Sequence, residues 1–376
     1  MSIIDSKSVL ILGAGTSAPF GLSLGGDLIE VLATNLENET EKDNFLRWQH
    51  LIDTQPLTAF SFSPIRTTLT GSENDTREFD QKAKELTSRL RASTHETIDD
   101  FLVDNSDFST LIKTAISSAL FSQIYNPRKE NRYVRFSRLG DIGIVEDYQI
   151  KNFLGRHLTR EDYHNRATGP RNWVHLLINM VRYAVRNGFF EHKIKIITFN
   201  YDTILEHILE HLFQQTQFQY DHYTNYFDIV HPHGSFGSLE LDVKNPIVTV
   251  SAWAKAICVV QEHFESLPND IKTARESAKN WVSQSTRVYA TGFAFAGANC
   301  RLLGLYESGG PNELYYNNYD GNMGLKQAVN RFSAPIRHPS ARVHRYEVVE
   351  CPDASKEHPV SVEDWFAAGY AGEPPA

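Results

Sequence analysis

Ser8-Val9-Leu10-Ile11-Leu12 is a short, mostly apolar run closed at once by Gly13. A run this brief with no polar alternation fits a strand buried on both faces, the setting of a parallel sheet with covered faces. Similar runs recur at Ile194 to Thr198, Arg287 to Thr291 and Glu313 to Asn317, with weaker candidates at Ile229 and at Ile247 to Val250. Helical patterns separate them, including one expected over Gly25 to Ala33 and another over Ile204 to Phe213. The chain is therefore expected to be an α/β protein, a Rossmann-like doubly wound parallel sheet with right-handed crossovers.

The stretch between the first two runs has a different character. Leu111, Ile112, Ala115, Ile116, Ala119 and Leu120 recur at helical spacing, as do Trp173, Leu176, Leu177, Met180, Val181 and Ala184. Ser93 with Glu96 ahead of Ile98 and Phe101 fits a capping box. The expected organisation is a discontinuous α/β core over 1–34 and 190–350, a large helical insertion over 35–189 and a C-terminal tail over 351–376. Arg128 to Arg138 reads as an exposed polar loop.

Composition narrows the partners. With 46 acidic against 37 basic residues the formal net charge is -9, so direct nucleic-acid binding through phosphate contacts is disfavoured. A small anionic ligand would need local backbone donors. Cys258, Cys300 and Cys351 are the three cysteines; their wide spacing excludes a zinc ribbon, and no metal is expected. The polar start lacks a secretory pattern, and no apolar run nears the roughly 20 residues of a membrane span. A cytoplasmic location is expected.

Three segments carry chemistry. Gly13-Ala14-Gly15-Thr16-Ser17 follows a strand, with Gly21 beyond it. Glycines there let the backbone approach a pyrophosphate, with free N–H groups and a helix N-terminus supplying positive potential. A plain tight turn is the alternative, since the spacing is not Gly-x-Gly-x-x-Gly. Thr198-Phe199-Asn200-Tyr201-Asp202 ends a buried strand and precedes a helix, placing Asn200 and Asp202 where open α/β sheets bind ligands. Capping is as good an account of Asp202. His231-Pro232-His233-Gly234-Ser235 offers a general base beside a flexible backbone. His231 reads as a bystander, and a two-histidine metal site lacks further ligands.

In order and spacing these segments resemble the sirtuin family. Gly13-Ala14-Gly15-Thr16-Ser17 with Gly21-Leu22 is similar to the family's glycine-rich phosphate loop, Thr198-Phe199-Asn200-Tyr201-Asp202 to its Thr-Gln-Asn-Ile-Asp signature, and His233-Gly234 to the His-Gly that holds its catalytic histidine. Thr291-Gly292-Phe293-Ala294-Phe295 resembles the Gly-Tyr-Ser-Phe turn of bacterial relatives, with Ala294 in place of the hydroxyl residue. The four-cysteine zinc module of deacylating members is absent, and Ser23-Leu24-Gly25-Gly26-Asp27 stands where they carry Asp-Phe-Arg. The match is nearer to the defence-associated branch, whose helical insertion bears Ile-Asp-x-Phe-Leu, here Ile98-Asp99-Asp100-Phe101-Leu102.

That resemblance implies hydrolysis of NAD, as substrate, to nicotinamide and ADP-ribose during phage infection. It also implies activation by a HerA-type hexameric ATPase or by homo-oligomer formation, since only about 45 residues follow the last matched segment, too few for a sensor domain. It assigns catalysis to Asn200 and His233. It assigns NAD contacts to Gly13, Ala14, Gly15, Thr16, Ser17, Gly21, Asp202, Gly234, Ser235, Gly292 and Phe293. Asn317 and Asp320, at the end of the last core strand, are expected toward the adenosine ribose, with a plain turn as the alternative reading of Asn-Asn-Tyr-Asp-Gly. A deacylase without the zinc module, a non-catalytic NAD or ADP-ribose sensor and a scaffold are the alternatives.

Overall fold

The computed structural model describes residues 6–17, 22, 25–40, 73–95, 97–125, 173–214, 221–237, 246–258, 264–305, 313–316, 327, 329 and 347–350. Six strands form one sheet: β1 (Ser8–Leu12), β2 (Ile194–Thr198), β3 (Phe227–Val230), β4 (Arg287–Thr291), β5 (Glu313–Tyr316) and β6 (Glu347–Glu350). Every pairing is parallel, and the order across the sheet is β3-β2-β1-β4-β5-β6. This is the Rossmann-like arrangement expected from the apolar runs. Its order reverses between β1 and β4, the position at which open α/β sheets leave a crevice beyond the strand ends.

Contacts divide the chain into two compact units. The first comprises Met1–Thr16, Leu158–Gly234 and Glu262–Ala376, and the second Ser17–His157 and Ser235–Gln261. These boundaries differ from those drawn at 34 and 189. The helix α1 (Gly25–Thr40) groups with the second unit, and α5 (Trp173–Arg186) with the sheet.

In the first unit, one sheet face is lined by Val9, Ile11, Val288, Ala290, Leu314 and Tyr316, packed with Ala278 and Val282 of α8 (Asn269–Gln284) and Cys300 of α9 (Gly297–Leu302). Leu10 and Leu12 on the alternate face are buried as well, which is why the strand shows no polar alternation. The helix α6 (Ile204–Gln214) follows β2 and packs on α5. Gly188 ends α5 at φ 72°, with its N–H on Val185 O and the Phe189 N–H on Ala184 O, a Schellman stop.

In the second unit, α1 packs on α2 (Glu73–Arg91) and on α4 (Ser109–Tyr125), which in turn packs on α7 (Pro246–Ala256). Arg91 ties α2 to Glu30 and Glu37 of α1. Leu111, Ile112, Ala115, Ile116, Ala119 and Leu120 are buried, and so are Thr114, Ser117 and Ser118. α4 is thus a central helix buried all round rather than an amphipathic one.

Two local expectations are corrected. Residues 247–250 are helical, inside α7, although Ile-Val-Thr-Val suits a strand; Pro246 occupies the first helical position and Val250, Trp253 and Ile257 are buried at helical spacing. Ser93 stands too far ahead of the next helix to be its N-cap, and Glu96, its expected partner in the box, lies outside the described residues. The Ser93 hydroxyl accepts the His95 N–H at 3.1 Å and pairs with His95 Nδ1 at 2.9 Å, while α3 (Ile98–Asp104) begins five residues later. Ile98, Phe101 and Leu102 are core residues of this unit.

Candidate functional site

The loops that follow β1, β2, β3 and β4 all leave the carboxyl edge of the sheet. After β1 the chain makes a single 3-10 turn, Ala14–Thr16. The Gly13 N–H donates to Thr291 O at 3.1 Å, the Gly15 N–H to Gly292 O at 3.1 Å and the Thr16 N–H to Gly13 O at 2.9 Å. The expectation of free amides at Gly13, Gly15 and Thr16 is therefore corrected, because each is committed to a protein carbonyl.

The glycines answer to one another. A Cβ on Gly13 would lie 2.3 Å from Gly292 O, and one on Gly15 would lie 2.6 Å from Gly292 Cα. Gly292 itself has φ +60° and leaves no room for a side chain against Thr16 N, 2.6 Å from its ideal Cβ. Two backbones cross in direct contact where the strand order reverses.

Thr16 is the junction of a hydrogen-bonded path. Its hydroxyl donates to Gly13 O at 2.8 Å and accepts from Asn200 Nδ2 at 3.0 Å, and its carbonyl accepts the Trp173 indole N–H at 3.0 Å. Asn200 is half-buried, with its own N–H on Thr198 Oγ1 at 3.2 Å. Asp202 is buried and its Oδ1 accepts the Ile204 N–H at 3.2 Å, so it caps α6.

The β3 loop is a turn of the kind a proline starts. Gly234 N–H donates to His231 O at 2.9 Å, Pro232 holds the second position, and Gly234 takes φ 74°. Buried Arg275 of α8 donates Nε to Pro232 O at 2.9 Å. His233 is 1% exposed; its ring meets Phe199 edge-on with centroids 5.0 Å apart and Tyr201 at 6.2 Å. Since Phe199 and Tyr201 flank Asn200 in sequence, the structure brings Asn200 and His233 to the same corner of the sheet.

His231 is more than a bystander. Its Nδ1 lies 2.9 Å from Asn200 O and its Nε2 2.5 Å from Glu206 Oε1 of α6. Burial lowers the basicity of this imidazole, but the Glu206 carboxylate outweighs it and the net shift is upward, with smaller help from the Asn200 carbonyl and Asp202. The partners, a backbone carbonyl and a carboxylate, are both acceptors, so a ring protonated at both nitrogens satisfies the two contacts together. Glu206, Trp173 and Arg275 went unrecognised in the sequence because each occupies an ordinary helical position; only the fold places them against these loops.

Phe293 packs its ring on Phe199 and Phe295, at 5.1 and 4.9 Å, so only its backbone is left for a ligand. Ser17 and Ser235 belong to the second unit, where Ser17 O accepts the Leu22 N–H and Ser235 Oγ the Gly237 N–H. Gly21, Asn317 and Asp320 lie outside the described residues. Among the described residues no group of three or more His, Cys, Asp or Glu could hold a metal ion, and no helix is long and apolar enough to cross a membrane.

Fold and site together define an α/β protein of Rossmann-like architecture with polar side chains gathered at the carboxyl ends of its parallel strands. No protein-family model and no curated protein matches the chain.

Proposed function

We propose that this protein hydrolyses the nicotinamide–ribose bond of NAD, giving nicotinamide and ADP-ribose. The observation that carries the reading is the Asn200 amide pinned to Thr16 beside the β1–β4 crossing, with the His233 ring packed on Phe199 and Tyr201, the residues either side of Asn200. Parallel sheets bind nucleotides at this reversal of strand order. The order and spacing of these segments along the sequence, which resemble sirtuin motifs, support the same reading.

In this reading Asn200 orients a water molecule or a ribose hydroxyl, and His233 accepts the proton that the water loses as its oxygen bonds to the ribose carbon. The glycosidic electron pair leaves with the nicotinamide, which departs neutral. Charge on the ribose peaks in an oxocarbenium-like state, which the buried Asp202 carboxylate stabilises. Because the Gly13, Gly15 and Thr16 amides are committed, the glycine crossing contributes a close, side-chain-free surface rather than those three donors. Activation by a HerA-type ATPase or by self-assembly, and a role in anti-phage defence, belong to the same proposal.

The test is incubation of the protein with NAD, alone and with the ATPase, followed by chromatography for nicotinamide and ADP-ribose. Asn200→Ala and His233→Ala should each lower the rate by about 100-fold or more without loss of fold. A fully active His233→Ala protein would remove the mechanism, while ADP-ribose binding without turnover would make the chain a sensor.

A further inference from the structure

The path that fixes the Asn200 amide does not end at Thr16. The backbone carbonyl of Asn200 receives His231 Nδ1 at 2.9 Å, and His231 Nε2 is held by Glu206. Asn200 is thus gripped at two points, at its carboxamide from the β1 loop and at its carbonyl from the β3 loop. The His231 and Glu206 side chains are only 12% and 18% exposed, so water does not replace either grip easily.

We infer that His231 and Glu206 form a positioning pair for Asn200, holding the backbone after β2 so that the carboxamide stays on Thr16. The kinetic part of this inference rests on the NAD-cleaving reading; the geometric part does not. An imidazole that donates from both nitrogens must be protonated, and Glu206 supplies the charge that keeps it so. The charged and titratable groups around it come from three elements. They are Glu206 of α6, Asp202 from the β2 loop and, through Glu206, Tyr223 from the turn before β3, whose hydroxyl is pushed up to about 12 by burial and by Glu206 and Glu210.

The experiment has two arms. In the first, the Asn200 side-chain amide signals of the isotope-labelled full chain are assigned with Asn200→Asp, and their hydrogen exchange is compared in the parent, Glu206→Gln, His231→Gln and Glu206→Asp proteins. Exchange should quicken by about tenfold or more in the two Gln variants, as the second grip is lost, and Glu206→Asp should restore part of the protection. Unchanged Asn200 exchange in folded Glu206→Gln and His231→Gln proteins overturns the inference.

In the second arm, NAD cleavage is followed against pH. Glu206→Gln should lower kcat on the order of a hundredfold with KM little changed, and should move the alkaline limb to lower pH, because the imidazolium then loses its proton sooner. His231→Gln should abolish the limb. A purely structural pair would instead reduce thermal stability with the kcat and pH profile of the folded fraction unaltered, and that result also overturns it. If the parent protein cleaves no NAD while the exchange arm behaves as expected, the NAD reading fails and the positioning pair stands.

Discussion

Three glycine-to-alanine substitutions in the sheet unit separate two ways in which a side chain can be intolerable. At Gly188 the backbone is left-handed, φ +72°, but nothing lies within 4 Å of the added Cβ. The cost there is conformational alone, about 1 kcal/mol. At Gly13 the φ is ordinary, yet the Cβ would stand 2.3 Å from Gly292 O and 2.7 Å from Phe293 Cα. Both neighbours are backbone and cannot rotate away, which places Gly13→Ala near the upper end of overpacking, about 3 kcal/mol. Gly292→Ala combines a φ of +60° with contacts of 2.6 and 2.7 Å to Thr16 N and Gly15 C, for about 4 kcal/mol.

For a unit of about two hundred residues, 1 kcal/mol moves Tm by roughly 2–4 °C. Gly188→Ala should therefore lower Tm by about 2–4 °C and Gly13→Ala by about 6–12 °C, with Gly292→Ala lowest. The double variant Gly13→Ala/Gly292→Ala should lose less than the two single losses added, since both disrupt one crossing. Differential scanning calorimetry gives the order. A Gly13→Ala protein more stable than Gly188→Ala would refute the claim that the two loops touch backbone to backbone.

Other outcomes are expected. The raised pKa of His231 means that its pairing stabilises the fold fully below about 6.5, the unfolded value, and less as pH rises through the folded value; urea midpoints from pH 5.5 to 9 should show the gap between parent and His231→Gln closing with pH, and a widening gap would contradict the assignment. Trp173→Phe removes the N–H to Thr16 O and shrinks a fully buried indole to a single ring, and urea titration should register about 2–3 kcal/mol lost, the hydrogen bond and the cavity together. Asp202→Asn retains the acceptor for the Ile204 N–H and should be nearly as stable as the parent, whereas Asp202→Ala should lose about 1 kcal/mol; NAD cleavage that survives Asp202→Asn intact would leave capping as the whole role of this carboxylate.

What the sequence held on its own was the local part. Runs such as Ser8–Leu12 and Arg287–Thr291 are mostly apolar and show no polar alternation because strands inside a two-faced sheet have no solvent side, and that pattern survives without knowledge of neighbours. Asn200 and His233 were legible because they follow such runs, and the carboxyl end of a parallel strand is where side chains meet a crevice. The edge strand β6 was not, since Glu-Val-Val-Glu offers two apolar residues and no period. Residues 247–250 suit a strand yet form a helix for a related reason: β-branched residues favour strands only when the surroundings are a sheet, and here burial against α4 favours a helix.

Tertiary structure decided the rest. The glycines of the first loop are also required by Gly292, far along the chain, whose backbone lies where a Cβ on Gly13 or Gly15 would stand. Glu206 became the partner of His231, and Trp173 the donor to Thr16, only when β2, β3 and β1 were laid side by side. Periodicity records which face of an element is buried; it carries nothing about which distant backbone lies against that face, because that depends on the order in which the strands assemble.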